Sequence, residues 1–129
     1  MEYRPKILIV DDEELSQEFL RFFLAKKFEV YTCGSVQTFY NLLNHIKFDL
    51  IIMDIFLRDS KDGIQLTKEI KERPEYRDTP IFIVTAQNTT RDRNASKAAG
   101  AEMFLTKPLD GKYLLSCISD TLKKGTYSV

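Results

Sequence analysis

The chain has 129 residues, which suits one domain with a single hydrophobic core rather than two. Lys and Arg together number 19, as do Asp and Glu, so the formal net charge is zero and bulk electrostatic binding to nucleic acid is not expected. No apolar run is long enough to span a membrane, and the first residues, MEYRPK, lack the apolar part of a signal peptide. We therefore expect a cytoplasmic protein that contacts neither membranes nor nucleic acid directly.

Five short apolar runs are predicted to form strands. The first, third and fourth are nearly continuous, which is typical of strands buried on both faces of a parallel sheet. The second is shorter and more polar, which favours an edge position. The runs are KILIV (6–10), EVYTC (29–33), FDLIIMD (48–54), PIFIVTA (80–86) and EMFLT (102–106).

The segments between these runs have the periodicity of helices. They cover residues 13–27, 35–46, 63–72, 90–99 and 110–124. The first helix is predicted to pack on the core through one apolar stripe. That stripe consists of Leu15, Phe19, Phe22 and Phe23. Alternation of strand and helix predicts a doubly wound α/β fold, with one domain over residues 1–129 and a short tail at 125–129.

Polar side chains follow four of the five predicted strands. In a parallel α/β sheet, ligands bind at the carboxyl ends of the strands, so these side chains are expected to converge. They are Asp11, Asp12, Asp54, Thr85 and Lys107. Three carboxylates in one pocket repel one another unless a cation is bound, and ligation by oxygen alone favours Mg²⁺ or Mn²⁺.

This set of groups permits phosphoryl transfer to a carboxylate. With a metal ion bound, Asp54 keeps an oxygen that can attack phosphorus and form an aspartyl phosphate. Lys107 can then pair with one phosphoryl oxygen, and Thr85 can donate a hydrogen bond to another. Three negative charges, one ammonium and one divalent cation sum to about zero, so an incoming phosphoryl anion is not repelled.

Four motifs occur in a fixed order: ILIVDDE, FDLIIMDIFL with a downstream DG, PIFIVTA, and AGAEMFLTKP. Over essentially its whole length, the chain resembles a receiver domain of the response regulators of two-component signalling. The resemblance implies a flavodoxin-like, five-stranded parallel sheet of order 2-1-3-4-5 with five flanking helices. It also implies a phosphorylation-dependent switch that assists its own phosphorylation and dephosphorylation, and not a conventional enzyme.

The resemblance assigns the phosphoacceptor and the metal ligands. Asp54 would be the phosphoacceptor, and Asp12 and Asp54 would bind Mg²⁺ (or Mn²⁺) directly. Asp11 would act mainly through water, and the backbone carbonyl of Phe56 would be a further ligand.

It also assigns the residues that respond to phosphorylation. Lys107 would bind the phosphoryl group, Thr85 would be the switch hydroxyl and Phe104 the switch aromatic. The peptide bond between Lys107 and Pro108 would be cis. The surface around the fourth helix, fifth strand and fifth helix would then change and carry the signal.

The loop after Asp54, DIFLRDSKDG, departs from the commonest receiver pattern. Arg58 stands where many receivers have a proline, and the loop is one residue longer. The position of Arg58 and the rigidity of the loop are therefore not fixed by the resemblance.

The implied phosphodonor is a sensor histidine kinase or a histidine phosphotransfer protein. The output would come through an unknown downstream protein, a phosphorylation-dependent dimer or an output domain outside this chain. A metal-dependent phosphohydrolase is one alternative, but it would need an acid two residues after the nucleophile, where Phe56 stands. A flavin- or nucleotide-binding domain would need a phosphate loop where DDEE stands, and a degenerate receiver would lack site residues that are present here.

Overall fold

The computed structural model describes residues 3–127, and its five strands form one parallel sheet in the order β2-β1-β3-β4-β5. The strands are β1 (Lys6–Val10), β2 (Glu29–Cys33), β3 (Leu50–Asp54), β4 (Ile81–Thr85) and β5 (Met103–Thr106). The predicted doubly wound architecture and strand order are confirmed. β1 lies between β2 and β3, so the order of the strands reverses beside β1, where such sheets bind their ligands.

Five α-helices within the described residues connect the strands. They are α1 (Glu14–Leu24), α2 (Val36–His45), α3 (Gly63–Lys71), α4 (Thr90–Ala99) and α5 (Gly111–Tyr127), with a 3₁₀ turn at Pro74–Tyr76. α5 begins after Asp110, whose Oδ1 accepts hydrogen bonds from the backbone N–H groups of the first turn. It runs to Tyr127, so most of the predicted tail continues the helix, and residues 128–129 lie outside the described part. None of the helices described is long and apolar enough to cross a membrane.

The sheet separates two hydrophobic cores. β3 and β4 are buried along their whole length, whereas β2 is largely half-buried, as expected for an edge strand. One core joins the sheet to α2 and α3 through Leu8, Phe39, Ile51, Leu66 and Ile70. The other joins it to α1 and α5 through Ile9, Leu20, Ile52, Leu114 and Ile118. Because both faces are covered, the open edge at the carboxyl ends is the natural place for a site.

The prediction for the buried face of α1 is wrong. Leu15 is 81% exposed and Phe22 is 66% exposed, while the helix packs on the sheet through Leu20 and Leu24, which are 2% and 0% exposed. α1 carries two apolar stripes, and periodicity alone does not say which one meets the sheet. The predicted stripe therefore lies largely on the surface of the protein.

Candidate functional site

A cavity of about 250 Å³ opens at the carboxyl ends of β1 and β3. The cavity is lined by Asp54 at the end of β3 and by residues from the loops that follow β1, β3, β4 and β5. They are Asp12, Glu13, Asp54, Phe56, Arg58, Ala86 and Lys107. The structure thus brings two of the predicted carboxylates, the predicted ammonium and Phe56 to one place.

Lys107 links two carboxylates beside this cavity. Its Nζ donates hydrogen bonds to Oδ2 of Asp11 at 2.9 Å and to Oδ2 of Asp54 at 3.1 Å, and a third to Oγ of Ser16 at 3.1 Å. Burial disfavours its charged form, but the two carboxylates outweigh this effect and raise the pKa of Lys107. The ammonium therefore stays charged. The peptide bond between Lys107 and Pro108 is cis, as predicted.

Asp54 is the last residue of β3 and is 8% exposed. Its Oδ1 accepts a 3.2 Å hydrogen bond from the backbone N–H of Phe56. Burial raises the pKa of Asp54, the nearby charge of Asp11 raises it further, and the hydrogen bond from Lys107 opposes both. The net effect is a raised pKa, because the hydrogen bond from Lys107 does not fully offset the cost of burying the ionised carboxylate.

Asp11 and Asp12 follow β1 and have different partners. Asp11 is 2% exposed, and besides Lys107 it accepts a 2.9 Å hydrogen bond from the backbone N–H of Glu13. Asp12 instead accepts a 2.8 Å hydrogen bond from Nε of Arg58, and this contact raises the pKa of Arg58. Sequence reasoning did not find the pairing of Asp12 with Arg58, although the unusual residue in that loop was a signal.

The two predicted switch residues lie on adjacent strands, β4 and β5. Thr85 is fully buried at the end of β4, and its Oγ1 is 3.5 Å from the backbone N–H of Gln87. Phe104, on β5, is half-buried against the core, with the guanidinium of Arg93 4.7 Å above its ring centre. Neither residue is among those that line the cavity. In this conformation, neither Thr85 nor Phe104 has a described hydrogen bond to Asp54.

The oxygen ligands suit a weakly held, hydrated cation. Within residues 3–127, no group of three or more His, Cys, Asp or Glu side chains is arranged to hold a metal ion. Asp12 and Asp54 nevertheless line the same cavity as Phe56. Mg²⁺ is usually bound through one or two carboxylates and keeps several waters, so this pair fits Mg²⁺ better than a cation that needs an all-protein cage.

The family model of the response regulator receiver domain matches residues 7–119. This chain belongs to that family. Receiver domains are phosphorylation-dependent signalling switches of two-component systems rather than conventional enzymes. They take phosphoryl groups from histidine kinases and generally bind Mg²⁺ at the phosphorylation site.

Relatives of this receiver domain come from several organisms. It is 34% identical over 121 residues to protein PetR of Rhodobacter capsulatus, a match that covers 93% of this chain and 49% of PetR. A two-component response regulator from Clostridium difficile is 25% identical, with a TM-score of 0.87 and coverage of 94% of this chain and 98% of that chain. The receiver domain of a signal transduction histidine kinase from Syntrophus aciditrophicus is 28% identical, with a TM-score of 0.84 and coverage of 92% and 90%. The chain thus spans about half the length of the curated relative.

Proposed function

We propose that this receiver domain accepts a phosphoryl group on Asp54 from a histidine kinase or a histidine phosphotransfer protein. The observation that carries the proposal is the buried Asp54 carboxylate at the end of β3, hydrogen-bonded to Lys107 beside a cavity. Asp12, Asp54 and the backbone carbonyl of Phe56 would hold Mg²⁺, and Asp11 would act through water. When bound, the ion neutralises charge on the phosphoryl oxygens.

Asp54 and Lys107 have different roles in the transfer of the phosphoryl group. A carboxylate oxygen of Asp54 bonds to phosphorus while the bond from phosphorus to the donor imidazole breaks, and the imidazole leaves with the electron pair of that bond. The ammonium of Lys107 binds one phosphoryl oxygen, which it reaches from its present position against Asp54. Attack of water on phosphorus then breaks its bond to the Asp54 oxygen, so the carboxylate leaves and inorganic phosphate is released. This step uses the same groups and resets the switch.

The donor protein docks on the exposed apolar surface of α1. A second cavity of about 250 Å³ lies between α1 and the loop before α5, lined among others by Leu15, Phe19 and Leu109. Lys107 lines this cavity as well as the one at Asp54, so a protein seated on the apolar surface brings its side chains beside the phosphoacceptor. Exposed apolar area of this kind marks a contact site.

Leu15→Ser is expected to slow phosphorylation by the cognate kinase by about tenfold, because it removes the most exposed apolar side chain of the docking surface. Labelling by acetyl phosphate, which needs no docking, is expected to stay at the wild-type rate. Tyr3→Ser is the matched control, since Tyr3 is an exposed ring near the amino end of β1. Equal slowing with both phosphodonors would count against a docking role.

Phosphorylation changes the surface formed by α4, β5 and α5. A phosphoryl group adds about −1.5 to −2 charge and three acceptor oxygens. The buried hydroxyl of Thr85 moves to donate to one of them and vacates volume beside β4. Phe104, on the neighbouring strand, turns inward and leaves the guanidinium of Arg93, so α4 shifts with it. The altered surface acts on a downstream protein, a second copy of the chain or an output domain outside it.

Thr85→Ala is expected to accept phosphate on Asp54 but to lose most of the response in residues 90–106. The variant lacks the hydroxyl that senses the phosphoryl group, and a ligand shifts a conformational equilibrium only by its differential affinity for the two states. Backbone NMR shifts with and without a beryllofluoride mimic, in wild type and variant, measure this response. A variant response as large as that of wild type would show that the signal does not pass through Thr85.

A further inference from the structure

Arg58 is a cation that already lies on a carboxylate assigned to the metal. Its Nε donates a 2.8 Å hydrogen bond to Oδ2 of Asp12. The backbone φ of Arg58 is +50°, a left-handed conformation that Gly, Asn and Asp adopt far more readily than Arg. An arginine is therefore present at a position whose backbone does not favour it, and its side chain makes a contact in the site.

The loop around Arg58 is held in place on its far side. Oδ2 of Asp59 accepts a 3.0 Å hydrogen bond from the backbone N–H of Val36, at the start of α2. Asp62 caps α3 in a reciprocal arrangement with Gln65. Because the backbone is anchored, the freedom left to Arg58 is mainly that of its side chain.

The two members of the pair differ in their access to water. The side chain of Arg58 is 79% exposed, whereas that of Asp12 is 16% exposed. An arginine with this exposure can leave for solvent at little cost, because exposed ion pairs contribute little free energy. Asp12, which lines the cavity, is largely shielded from solvent. The ion pair is therefore expected to open by movement of the Arg58 side chain into solvent.

A divalent cation bound to Asp12 would share that carboxylate with the guanidinium of Arg58. Glu13 also lines the cavity and adds a fourth negative charge to those of Asp11, Asp12 and Asp54, so the drive for release comes from the shared carboxylate and not from the net charge of the site. Two cations that share one carboxylate repel each other, so binding of one is coupled to release of the other.

We propose that Arg58 is the resident counter-cation of Asp12, and that its release is a required part of Mg²⁺ binding. Arg58 thereby sets the Mg²⁺ concentration at which the receiver becomes competent for phosphorylation. This inference rests on the proposed function, because it takes Asp12 as a ligand of Mg²⁺.

The test is a titration of Mg²⁺ against the wild-type chain and three variants, followed by backbone amide shifts of residues 10–13 and 54–57. Arg58→Asn removes the charge but suits the left-handed backbone, and Arg58→Lys restores the charge. Arg77→Asn removes the same charge in an exposed segment just before β4, at the opposite edge of the sheet. We expect about two- to fivefold tighter Mg²⁺ binding for Arg58→Asn, with the other two variants near wild type. In wild type, the Nε–H resonance of Arg58 should shift with the same midpoint as the amides.

The outcomes separate this inference from the function on which it rests. If every chain binds Mg²⁺ with one affinity, or the Nε–H resonance stays unchanged at saturation, the displacement of Arg58 is wrong while the metal site stands. If neither wild type nor Arg58→Asn responds to Mg²⁺, the metal site itself is wrong, and the inference falls with it. A response in Arg58→Asn that appears below the wild-type midpoint supports both.

Discussion

Asp54→Asn is expected to accept no phosphoryl group from acetyl phosphate or from a histidine kinase in the presence of Mg²⁺. An amide is uncharged and does not form an acyl phosphate, whereas the carboxylate of Asp54 can attack phosphorus. Wild type should carry a single label that survives acid better than phosphohistidine and is lost on treatment with hydroxylamine or base. Asp120→Asn, on the exposed side of α5, is the matched control and should label like wild type. Equal labelling of Asp54→Asn would place the phosphoacceptor elsewhere.

Unfolding of the Asp54→Asn variant is not expected to account for the lost label. Burial raises the pKa of Asp54 in the folded chain, so its ionised form opposes folding: the stability that its protonated form supports is lost as pH rises through the folded-state pKa. Removing that charge should therefore raise the free energy of unfolding at pH 7, by about 1 kcal/mol in the presence of EDTA. Urea denaturation of both proteins measures the difference, which should shrink at acidic pH.

Much of the fold was predictable because its signals are local and repeated. β3 and β4 are continuous apolar runs between polar segments, and such runs belong to the middle of a parallel sheet. The position of Asp54 followed from the same pattern, since a residue that ends a central strand must lie at the rim where ligands bind. Its convergence with Lys107, 53 residues away along the chain, was predicted from the same rim, and the structure shows a direct hydrogen bond between the two side chains.

The orientation of α1 and the partner of Asp12 were not predictable in this way. Leu20 and Leu24 form one apolar stripe of α1, and Leu15 and Phe22 belong to another. Which stripe packs on the sheet depends on how the whole helix docks rather than on the spacing of its own residues. The contact of Arg58 depends on a single left-handed residue in an irregular loop, and no periodicity reports on such a residue. Both features depart from what folding alone favours, because one leaves apolar surface in water and the other puts arginine in a disfavoured backbone conformation.

Gly63→Ala is expected to be among the most destabilising small substitutions near the site, at about 3 kcal/mol. A Cβ at residue 63 would lie 2.0 Å from the backbone oxygen of Asp54 and 2.8 Å from Cγ of Met53. The N–H of Gly63 also donates a 2.8 Å hydrogen bond to the carbonyl of Ile55, so the start of α3 is tied to the end of β3. The added methyl group must therefore push the helix from the sheet or displace the strand that carries Asp54.

Neither movement is easy, because α3 is held on the sheet by Leu66 and Ile70, which are both fully buried. Gly34→Ala is the matched control at the same rim, since its Cβ would come no closer than 3.3 Å to another atom, and it should cost less than about 1 kcal/mol. Urea unfolding with a constant m-value gives both differences. Phosphorylation of the surviving folded Gly63→Ala chain should also slow, because the backbone of Asp54 is the first group that the methyl meets. A cost for Gly63→Ala as small as that for Gly34→Ala would mean that α3 does not begin against the backbone carbonyl of Asp54.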